Sequence, residues 1–300
     1  SGVKAIITGA PYMHEFLVMP CRRMQEDDKD FTVACAVPVD AEGITIVARP
    51  AGRPENPAAK MSAKFAQAVG VAHFDNVFVP YDKVFIDGEI DEAHIMTTHY
   101  ATHHRHSCIG ARAGFGDLLI GAGAMMAEAN GLDVEKKGHM REKMVDLIKI
   151  TEGFYACGIA ASTMGVHDEA GNFRPDQIYS NIGKLLLANQ IYDMHRLAHD
   201  LSGGLVVALP GPDEDHNPAT AAVLQDVLRG SPDVTYEHRA NVARFIEDLT
   251  ASETGGWYSV ISLHGGGSPE AMKLEILRNY NVQARRDLVQ ALFDRNALEL

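Results

Sequence analysis

Short apolar runs separated by turn residues make up the first 90 residues. Their β-branched or alternating character predicts five strands, at 3–8, 15–19, 31–38, 43–48 and 71–79. Segments rich in Asp, Gly and Pro separate these runs, and a Pro- and Ala-rich stretch at 52–66 is expected to form a surface excursion. The pattern therefore predicts a small, mostly antiparallel β domain over residues 1–90.

From about residue 91 the apolar positions recur at helical spacing. They predict six long helices, at 92–129, 136–166, 175–202, 218–229, 234–262 and 268–298. Ser268 followed by Pro269 is a typical helix start, and glycine groups follow two of the helices. Helices of this length suit an antiparallel bundle. We therefore expect an α+β protein, with a helical bundle over residues 91–300.

The sequence begins inside a strand-like run, at Ser1-Gly2-Val3-Lys4, without a cap, a turn or a polar leader. It has no positively charged leader followed by a cleavage pattern, so a signal peptide is not expected. We therefore expect that the β domain is truncated and that an N-terminal portion is missing.

Composition narrows the possible partners. The chain is 46% hydrophobic and 22% charged, which is enough apolar material for a full core. A formal net charge of -13 argues against a nucleic-acid partner, since phosphate binding needs a basic surface. No apolar run of about 18 residues is free of charge, so no membrane span is expected. The cysteines form no closely spaced pairs, which predicts free thiols in a reducing cytoplasm; they are Cys21, Cys35, Cys108 and Cys157.

Four histidines fall within eight residues, at His99, His103, His104 and His106. His99 and His103 are four residues apart and would share a helix face, as metal-binding pairs do. No HExxH pattern accompanies them and no carboxylate or cysteine completes a zinc site, so no metal is predicted. The favoured interpretation is that His104 and Arg105 line a cavity, where imidazole donates a hydrogen bond and guanidinium holds an anion. Ordinary surface histidines are the alternative.

Two glycine-rich segments each follow a predicted helix. They are Ser202-Gly203-Gly204 and His264-Gly265-Gly266-Gly267-Ser268. Glycine permits close approach of the backbone to a phosphate, and Ser268 stands at the positive end of the next helix. A helix-ending glycine is the plain alternative, which explains one or two glycines well but three in a row poorly.

A series of motifs occurs in order along nearly the whole chain: Gly2-Val3-Lys4 with Thr8-Gly9, Phe74-Asp75-Asn76, His104-Arg105-His106-Ser107, Gly114-Phe115-Gly116-Asp117, Asp200-Leu201-Ser202-Gly203-Gly204 and His264-Gly265-Gly266-Gly267-Ser268-Pro269. Each motif is weak alone, but the ordered series resembles the C-terminal part of the flavoprotein family of 4-hydroxybutyryl-CoA dehydratase and 4-hydroxyphenylacetate 3-hydroxylase. The resemblance implies an acyl-CoA dehydrogenase-like fold.

The resemblance also implies FAD held between the β domain and the bundle, in a homotetramer. Thr8 and Gly9 would approach the flavin ring. The two glycine-rich segments would contact the FAD diphosphate or adenine, with contacts across a subunit boundary as one option. These contacts involve Ser202, Gly203, Gly204, His264, Gly265, Gly266, Gly267 and Ser268.

Several positions depart from the dehydratase pattern. His104 matches a ligand of its [4Fe–4S] cluster, but Ala111 stands where the resemblance implies a cysteine ligand. Cys108 lies at the catalytic Tyr position and is a candidate substitute ligand. Arg112 replaces the catalytic Lys and Ile261 replaces the catalytic Glu, so acid–base capacity is lost. The sequence therefore predicts no [4Fe–4S] cluster and no dehydratase reaction.

The predicted function is that of a monooxygenase that receives reduced FAD from a separate reductase and hydroxylates an aromatic or related small molecule. The candidate catalytic residues are His104, Arg105, Cys108 and Arg112. One alternative is a CoA-ester dehydratase or isomerase with rearranged cluster ligands. The other is a non-catalytic half of a split family member.

Overall fold

The computed structural model describes residues 1–20, 22–50 and 58–294. In the first part of the chain six strands are formed: β1 (Gly2–Thr8), β2 (Glu15–Val18), β3 (Val33–Pro38), β4 (Ile44–Arg49), β5 (Val69–Phe74) and β6 (Val84–Asp87). They build two three-stranded sheets, in the orders β1-β5-β4 and β2-β3-β6, and every pairing is antiparallel. The five predicted strands are present, and β6 is an additional one.

The two sheets share a small apolar core. Ala10, Phe16 and Ala72 are buried in it, and the rings of Phe16 and Phe74 meet edge to face with centroids 6.1 Å apart. The predicted strand 71–79 was wrong beyond Phe74, because Asn76 adopts a positive φ of 49° in the turn that follows β5. Leaving that turn, the chain forms β6 instead of prolonging β5.

The predicted excursion at 52–66 is only partly tested, since residues 51–57 lie outside the described residues. Its second half forms a short helix, α1 (Lys60–Phe65), most of whose residues are exposed, as a surface excursion requires. Ser62 is buried there, and its backbone N–H donates to Asp248 Oδ2 at 2.8 Å. This bond attaches the β-rich part of the chain to the helices that follow.

The remaining chain is mainly helical: α2 (Ile90–Ala129), α3 (Gly138–Thr163), α4 (Gln177–Ser202), α5 (Ala221–Val227), α6 (Tyr236–Thr250), α7 (Glu253–His264), α8 (Pro269–Asn279) and α9 (Val282–Asp294). A short hairpin, β7 (Val166–His167) and β8 (Phe173–Arg174), separates α3 from α4. The α+β class is confirmed, with small antiparallel sheets followed by a helical bundle. The division into domains at residue 90 stays a prediction, although β6 ends at Asp87 and α2 begins at Ile90.

Two of the predicted helices are each divided in two. Helix 234–262 is interrupted because the Ser252 hydroxyl accepts bonds from the backbone N–H groups of Thr254 and Gly255, which starts α7 afresh. Helix 268–298 is interrupted because Asn281 Oδ1 accepts from Ala284 N at 2.8 Å. The end of that prediction, at 295–298, lies outside the described residues.

The main core lies where α2, α3 and α4 pack together. Among its fully buried side chains are Ile109, Leu147, Phe154 and Ile191, each of which stabilises the fold by about 1.5–3 kcal/mol through burial. Gly183 permits the close approach of the helices, since a Cβ there would lie 2.5 Å from Ile109 Cδ1. Within the described part of the chain, none of the helices combines the length and the apolarity that a membrane crossing requires.

The described cysteines are free thiols. Cys35 is buried, while Cys108 and Cys157 are half-buried. Cys21, the fourth cysteine of the sequence analysis, lies outside the described residues.

Candidate active site

The predicted catalytic residues share one face of α2. His104, Cys108 and Arg112 are successive four-residue steps along this helix, so their side chains lie above one another, and Arg105 is adjacent. Arg105 and Arg112 are buried, with 5% and 8% of their surface exposed, while His104 and Cys108 are half-buried. The structure brings these four residues together because they belong to one helix, and their catalytic roles stay predictions.

The glycine-rich segment after α7 packs against this face. Arg105 Nε donates to Gly266 O at 2.8 Å, and Arg105 Nη1 donates to Asn181 Oδ1 of α4 at 2.6 Å. Gly266 has a φ of 78°, and a Cβ there would lie 3.0 Å from His104 Nδ1 and 3.1 Å from Arg105 Cγ. Glycine is therefore required here by both the backbone conformation and the close approach of α2.

Arg112 is held in place by α7. Its Nε donates to Ser262 Oγ at 2.6 Å, and its guanidinium carbon lies 3.8 Å from the ring centroid of Tyr258. Tyr258 in turn packs on Phe115 with ring centroids 4.6 Å apart. From α4, the fully buried Lys184 donates its Nζ–H to Ser262 O. Three helices therefore meet at one cationic cluster, which comprises His104, Arg105, Cys108, Arg112 and Lys184.

Burial controls the ionisation of this cluster. It lowers the pKa of Lys184 to about 8, and the charges of Arg112 and Arg105 act in the same direction while Cys108 opposes them. Burial, together with Lys184 and the two arginines, also lowers the pKa of His104. Burial raises the pKa of the Cys108 thiol, against the effect of Lys184 and Arg112. Near neutral pH the imidazole and the thiol are therefore uncharged, while Lys184 is mainly protonated.

The thiol of Cys108 contacts the imidazole of His104, with Sγ 3.4 Å from Nδ1. The two groups are one helical turn apart, and both are neutral near pH 7 for the reasons just given. They therefore form a hydrogen-bonded pair that can hold or pass a single proton at this end of the site.

A second feature lies beside a different face of α7, where a cavity of about 800 Å³ opens between α4 and α7. It is lined in part by Gly203, Gly204, His195 and Ser259. A Cβ on either glycine would have no heavy atom within 4 Å, so the backbone there borders open space. His195 Nδ1 lies 3.3 Å from Ser259 Oγ, while the buried Nε2 has no hydrogen-bond partner. This unpaired nitrogen can bond to a ligand.

The ionisation of His195 follows from its position. Burial lowers its pKa to about 4, the neighbouring His199 acts in the same direction, and the Thr250 backbone opposes the shift. His195 is therefore a neutral imidazole over the physiological range, and its free nitrogen offers a hydrogen bond without a charge.

Three predicted cofactor contacts have other partners within the fold. The Ser202 hydroxyl donates to Ala198 O at 2.6 Å inside α4. The Ser268 hydroxyl caps α8 by accepting from Ala271 N. His264 is exposed at the end of α7, and Gly265 closes that helix with an N–H bond to Ile261 O at 2.7 Å. Their roles in cofactor binding stay predictions.

The structure gives the two predicted glycine segments different surroundings. Gly203 and Gly204 line the cavity together with Ser259 and Val260 of α7, whereas Gly266 follows the C-terminus of α7 and packs against α2. Gly9 is buried, has a φ of 78° and donates its N–H to Ala68 O at 2.8 Å, and Thr8 ends β1. Within the described residues no hydrogen bond joins Thr8 or Gly9 to the cationic cluster.

The four clustered histidines at 99–106 of α2 do not converge. His99 Nε2 accepts from Arg174 Nη1 of β8 at 2.8 Å, and His106 Nε2 lies 2.9 Å from Ser162 Oγ of α3. His103 is exposed, whereas His104 lies in the cationic cluster. Across residues 1–20, 22–50 and 58–294, no three His, Cys, Asp or Glu side chains are arranged to hold a metal ion. Ala111 is exposed on α2.

The sequence analysis did not identify Lys184, which belongs to the cationic cluster, or Asn181 and Ser262, which accept hydrogen bonds from it. Lys184 carries a usable signal, because it is a single charge in an otherwise apolar helical stretch from Ile182 to Ala188. A charge on the buried stripe of an amphipathic helix indicates either a structural pair or a site. Asn181 and Ser262 carry no comparable signal, since their roles depend on which helices pack together.

The chain is similar to known proteins in both sequence and fold. The profile described as 4-hydroxyphenylacetate 3-hydroxylase N terminal matches residues 1–86, and that described as 4-hydroxyphenylacetate 3-hydroxylase C terminal matches residues 93–294. The chain is 33% identical to 4-hydroxybutyryl-CoA dehydratase/vinylacetyl-CoA-Delta-isomerase of Clostridium aminobutyricum, over 97% of the chain and 62% of that protein. It is 26% identical to the oxygenase component of 4-nitrophenol 4-monooxygenase/4-nitrocatechol 2-monooxygenase of Rhodococcus opacus, over 88% of the chain and 50% of that protein.

Solved structures give the same picture of the fold. An oxygen-tolerant archaeal 4-hydroxybutyryl-CoA dehydratase from N. maritimus has a TM-score of 0.92 at 32% identity, covering 98% of this chain and 59% of that one. The oxygenase component of 4-hydroxyphenylacetate 3-monooxygenase has a TM-score of 0.87 at 19% identity, covering 99% and 63%. A glutaryl-coenzyme A dehydrogenase has a TM-score of 0.59 at 15% identity, covering 92% and 58%. The expected acyl-CoA dehydrogenase-like fold is therefore confirmed, and this chain spans between half and two thirds of the lengths of these relatives.

Proposed function

The chain belongs to the 4-hydroxyphenylacetate 3-hydroxylase family, and from this premise we propose that it is part of a reduced-flavin monooxygenase that hydroxylates an aromatic or related small molecule. The observation that carries the proposal is the make-up of the cationic cluster. Elimination from a CoA ester needs a base to remove a proton from carbon. Arg112 and Ile261 stand where the resemblance implies the acid–base pair, so both groups that this elimination uses are replaced.

The cluster supports hydroxylation through positioning. The cation–π contact with Tyr258 and the bond to Ser262 fix the plane of Arg112, so its free N–H groups can orient an electron-rich substrate. His104 is neutral near pH 7 and shares a proton position with Cys108 at 3.4 Å. It can therefore donate or accept one hydrogen bond at the substrate without introducing charge. Burial of these groups keeps water from the reacting centre.

FAD is the cofactor of this proposal. The cavity beside Gly203 and Gly204 fits polar groups of a nucleotide cofactor, because its backbone wall is open and His195 Nε2 is buried without a partner. When bound, reduced FAD supplies the electrons that divide O2 between the product hydroxyl group and water. The reduced cofactor would come from a separate reductase. We also propose that the enzyme is cytoplasmic and forms a homotetramer.

A second candidate is a CoA-ester dehydratase or isomerase with altered cluster ligands. Its support is specific, since two of the relatives compared here, at 33% and 32% identity, are 4-hydroxybutyryl-CoA dehydratases. The Cys108–His104 pair would have to supply the ligands in place of the cysteine expected at position 111. We nevertheless predict that no cluster is present.

One experiment separates the candidates. The purified chain is reconstituted with FAD without oxygen, its iron is assayed, and its visible spectrum is recorded. It is then mixed with a flavin reductase, NADH, O2 and a panel of phenols. We expect flavin bands without iron, and O2 uptake matched by formation of hydroxylated product. Stoichiometric iron with an iron–sulfur absorbance would overturn the monooxygenase proposal in favour of the dehydratase. Bound flavin without turnover would indicate that a further polypeptide is required.

A further inference from the structure

The cationic cluster contains three buried positive charges that have only neutral hydrogen-bond partners. Lys184 is 0% exposed, and Arg105 and Arg112 are nearly as deeply buried. Within the described residues, their acceptors are Asn181 Oδ1, Gly266 O, Ser262 Oγ and Ser262 O. A buried cation is costly unless a negative group compensates it, and arginine does not avoid this cost by losing its proton.

The nearby groups do not supply that negative charge. Glu275 of α8 raises the pKa of Arg105 from a distance, but its carboxylate accepts from Gln177 and pairs with Arg278 at 2.9 Å. Cys108 stays a thiol near neutral pH, because burial raises its pKa. The cluster therefore has an excess of positive charge that the described residues do not neutralise.

The same arginines have hydrogen-bond donors to spare. Arg112 Nη1 and Nη2 and Arg105 Nη2 have no acceptor among the described residues, although Nε of each side chain is fixed by a bond to α7 or to the segment after it. A Cβ at Gly267, whose φ is 101°, would lie 3.0 Å from Arg105 Nη2, so glycine at this position avoids crowding that nitrogen. Planar donors held in this way match the oxygens of an anion.

We propose that the free N–H groups of Arg105 and Arg112 form a binding site for the oxyanion of a small-molecule ligand, and that the buried ammonium group of Lys184 makes the negative charge a requirement for binding. The ligand class is a carboxylate or a phenolate, which present the same oxygen chemistry. The inference rests on the proposed function only in placing this ligand beside the reacting centre.

Lys184 gives the site a characteristic pH dependence. Its pKa is about 8 in the free protein, and a bound anion would raise it by stabilising the ammonium form. Affinity for a fully ionised carboxylate is therefore constant below about pH 8 and falls above it. The charged and titratable groups that interact with Lys184 all lie on α2 and are His104, Arg105, Cys108 and Arg112. From the other packed helices, Cys157 of α3 lies beside Gly183, Tyr258 of α7 stacks on Arg112, and Glu275 of α8 acts on Arg105.

The test uses two pairs of probes with the whole chain, in isothermal titration calorimetry at pH 7 and pH 9. Benzoate is compared with benzamide for the carboxylate arm, and 4-nitrophenolate with 4-nitroanisole for the phenolate arm. We expect at least one anion to bind 10-fold or more tightly than its neutral counterpart, roughly the contribution of one charged hydrogen bond. The pair that discriminates identifies the source of the oxyanion.

Variants then assign the effect to Lys184. Lys184→Met should weaken anion binding by about 10-fold or more at pH 7, whereas Lys184→Arg should retain binding and remove the loss at pH 9. Cys108→Ser should keep that loss, which excludes the thiol as its origin. Lys143→Met is the matched control, because Lys143 pairs with Asp200 at 3.4 Å on a different face of the bundle. If Lys184→Met does not fold, Arg112→Gln is tested for the same loss.

The inference is overturned if neither anion binds, if anions and neutral probes bind alike, or if folded Lys184→Met binds benzoate or 4-nitrophenolate as the wild type does. These outcomes are separate from failure of the proposed function. A chain that selects anions through Lys184 but fails to bind FAD would retain the oxyanion site and lose the monooxygenase assignment. Flavin-dependent hydroxylation without anion selectivity would keep the monooxygenase assignment and overturn the oxyanion site.

Discussion

Replacing Lys184 with Met gives a quantitative test of the electrostatics of the cluster in the absence of any ligand. In the folded chain burial lowers the pKa of Lys184 from 10.5 to about 8. The unfolded chain therefore binds more protons than the folded chain between these values, so wild-type stability rises with pH through this window. At roughly 1.4 kcal/mol per pH unit, the whole window corresponds to about 3 kcal/mol. Met has nearly the same length, so packing changes little, and the variant lacks this dependence.

The measurement is urea unfolding followed by far-ultraviolet circular dichroism, for wild type and variant, at intervals from pH 7 to pH 10.5. The difference in free energy of unfolding, wild type minus Lys184→Met, should rise by about 3 kcal/mol over this range. Loss of the bond to Ser262 O shifts the whole difference by about 1 kcal/mol but leaves its slope unchanged. A flat or falling difference would refute the argument that Lys184 is buried as an uncompensated cation.

Further predictions concern other parts of the fold. Because the folded pKa of His195 is about 4, the unfolded chain binds more protons than the folded chain between pH 6.5 and pH 4, and the wild type loses stability as pH falls through this range. His195→Gln should remove that loss. The free energy of unfolding measured across this pH range checks it, with His139→Gln at an exposed position as the control. Gly266→Ala should destabilise the chain by more than Gly171→Ala. Both glycines have a positive φ, so either substitution costs about 1 kcal/mol or more, but only at Gly266 would the new Cβ also approach His104. Thermal unfolding of the two variants tests this, and only Gly266→Ala should also bind benzoate or 4-nitrophenolate about 10-fold more weakly. Phe154→Ala should cost about 3–5 kcal/mol in urea unfolding, because the ring is fully buried between helices, and a cost below about 1 kcal/mol would contradict the described core.

The secondary structure could be predicted where local pattern decides it. The helix predicted at 92–129 is α2 within two residues, because its period is long and uninterrupted. The divisions at Ser252 and Asn281 depend on single side chains that cap the next helix. Ser252 was a readable signal, since serine is a preferred N-cap and Glu253 adds an acid in the first turn. Apolar periodicity continues across such a break, so periodicity alone fails to show it.

The candidate site likewise has a part that could be predicted from the sequence and a part that could not. His104, Arg105, Cys108 and Arg112 were proposed from the histidine cluster and from the family resemblance, and the structure brings them together because all four lie on α2. Their charge balance was not predictable, because it depends on Lys184, which is 79 positions from Arg105 in the sequence and reaches the cluster only through the packing of α4 on α2. The long-range pairing of helices therefore determines whether Arg112 faces a carboxylate, a neutral acceptor or a ligand.

Two faces of α7 differ in a way that bears on how the site is used. Tyr258 and Ser262 contact the cationic cluster, where α2 and α4 contribute unbalanced positive charge, whereas Ser259 contacts neutral His195 beside the cavity. A charged reacting group is favoured at the first face, and an uncharged hydrogen-bonding group at His195 on the second. Because the two faces use different donors, a small substrate and an extended cofactor can be held at once without competing for the same groups. Lys184→Met should therefore weaken anion binding at the cationic cluster, whereas His195→Gln should leave it unchanged, as calorimetry with benzoate would show.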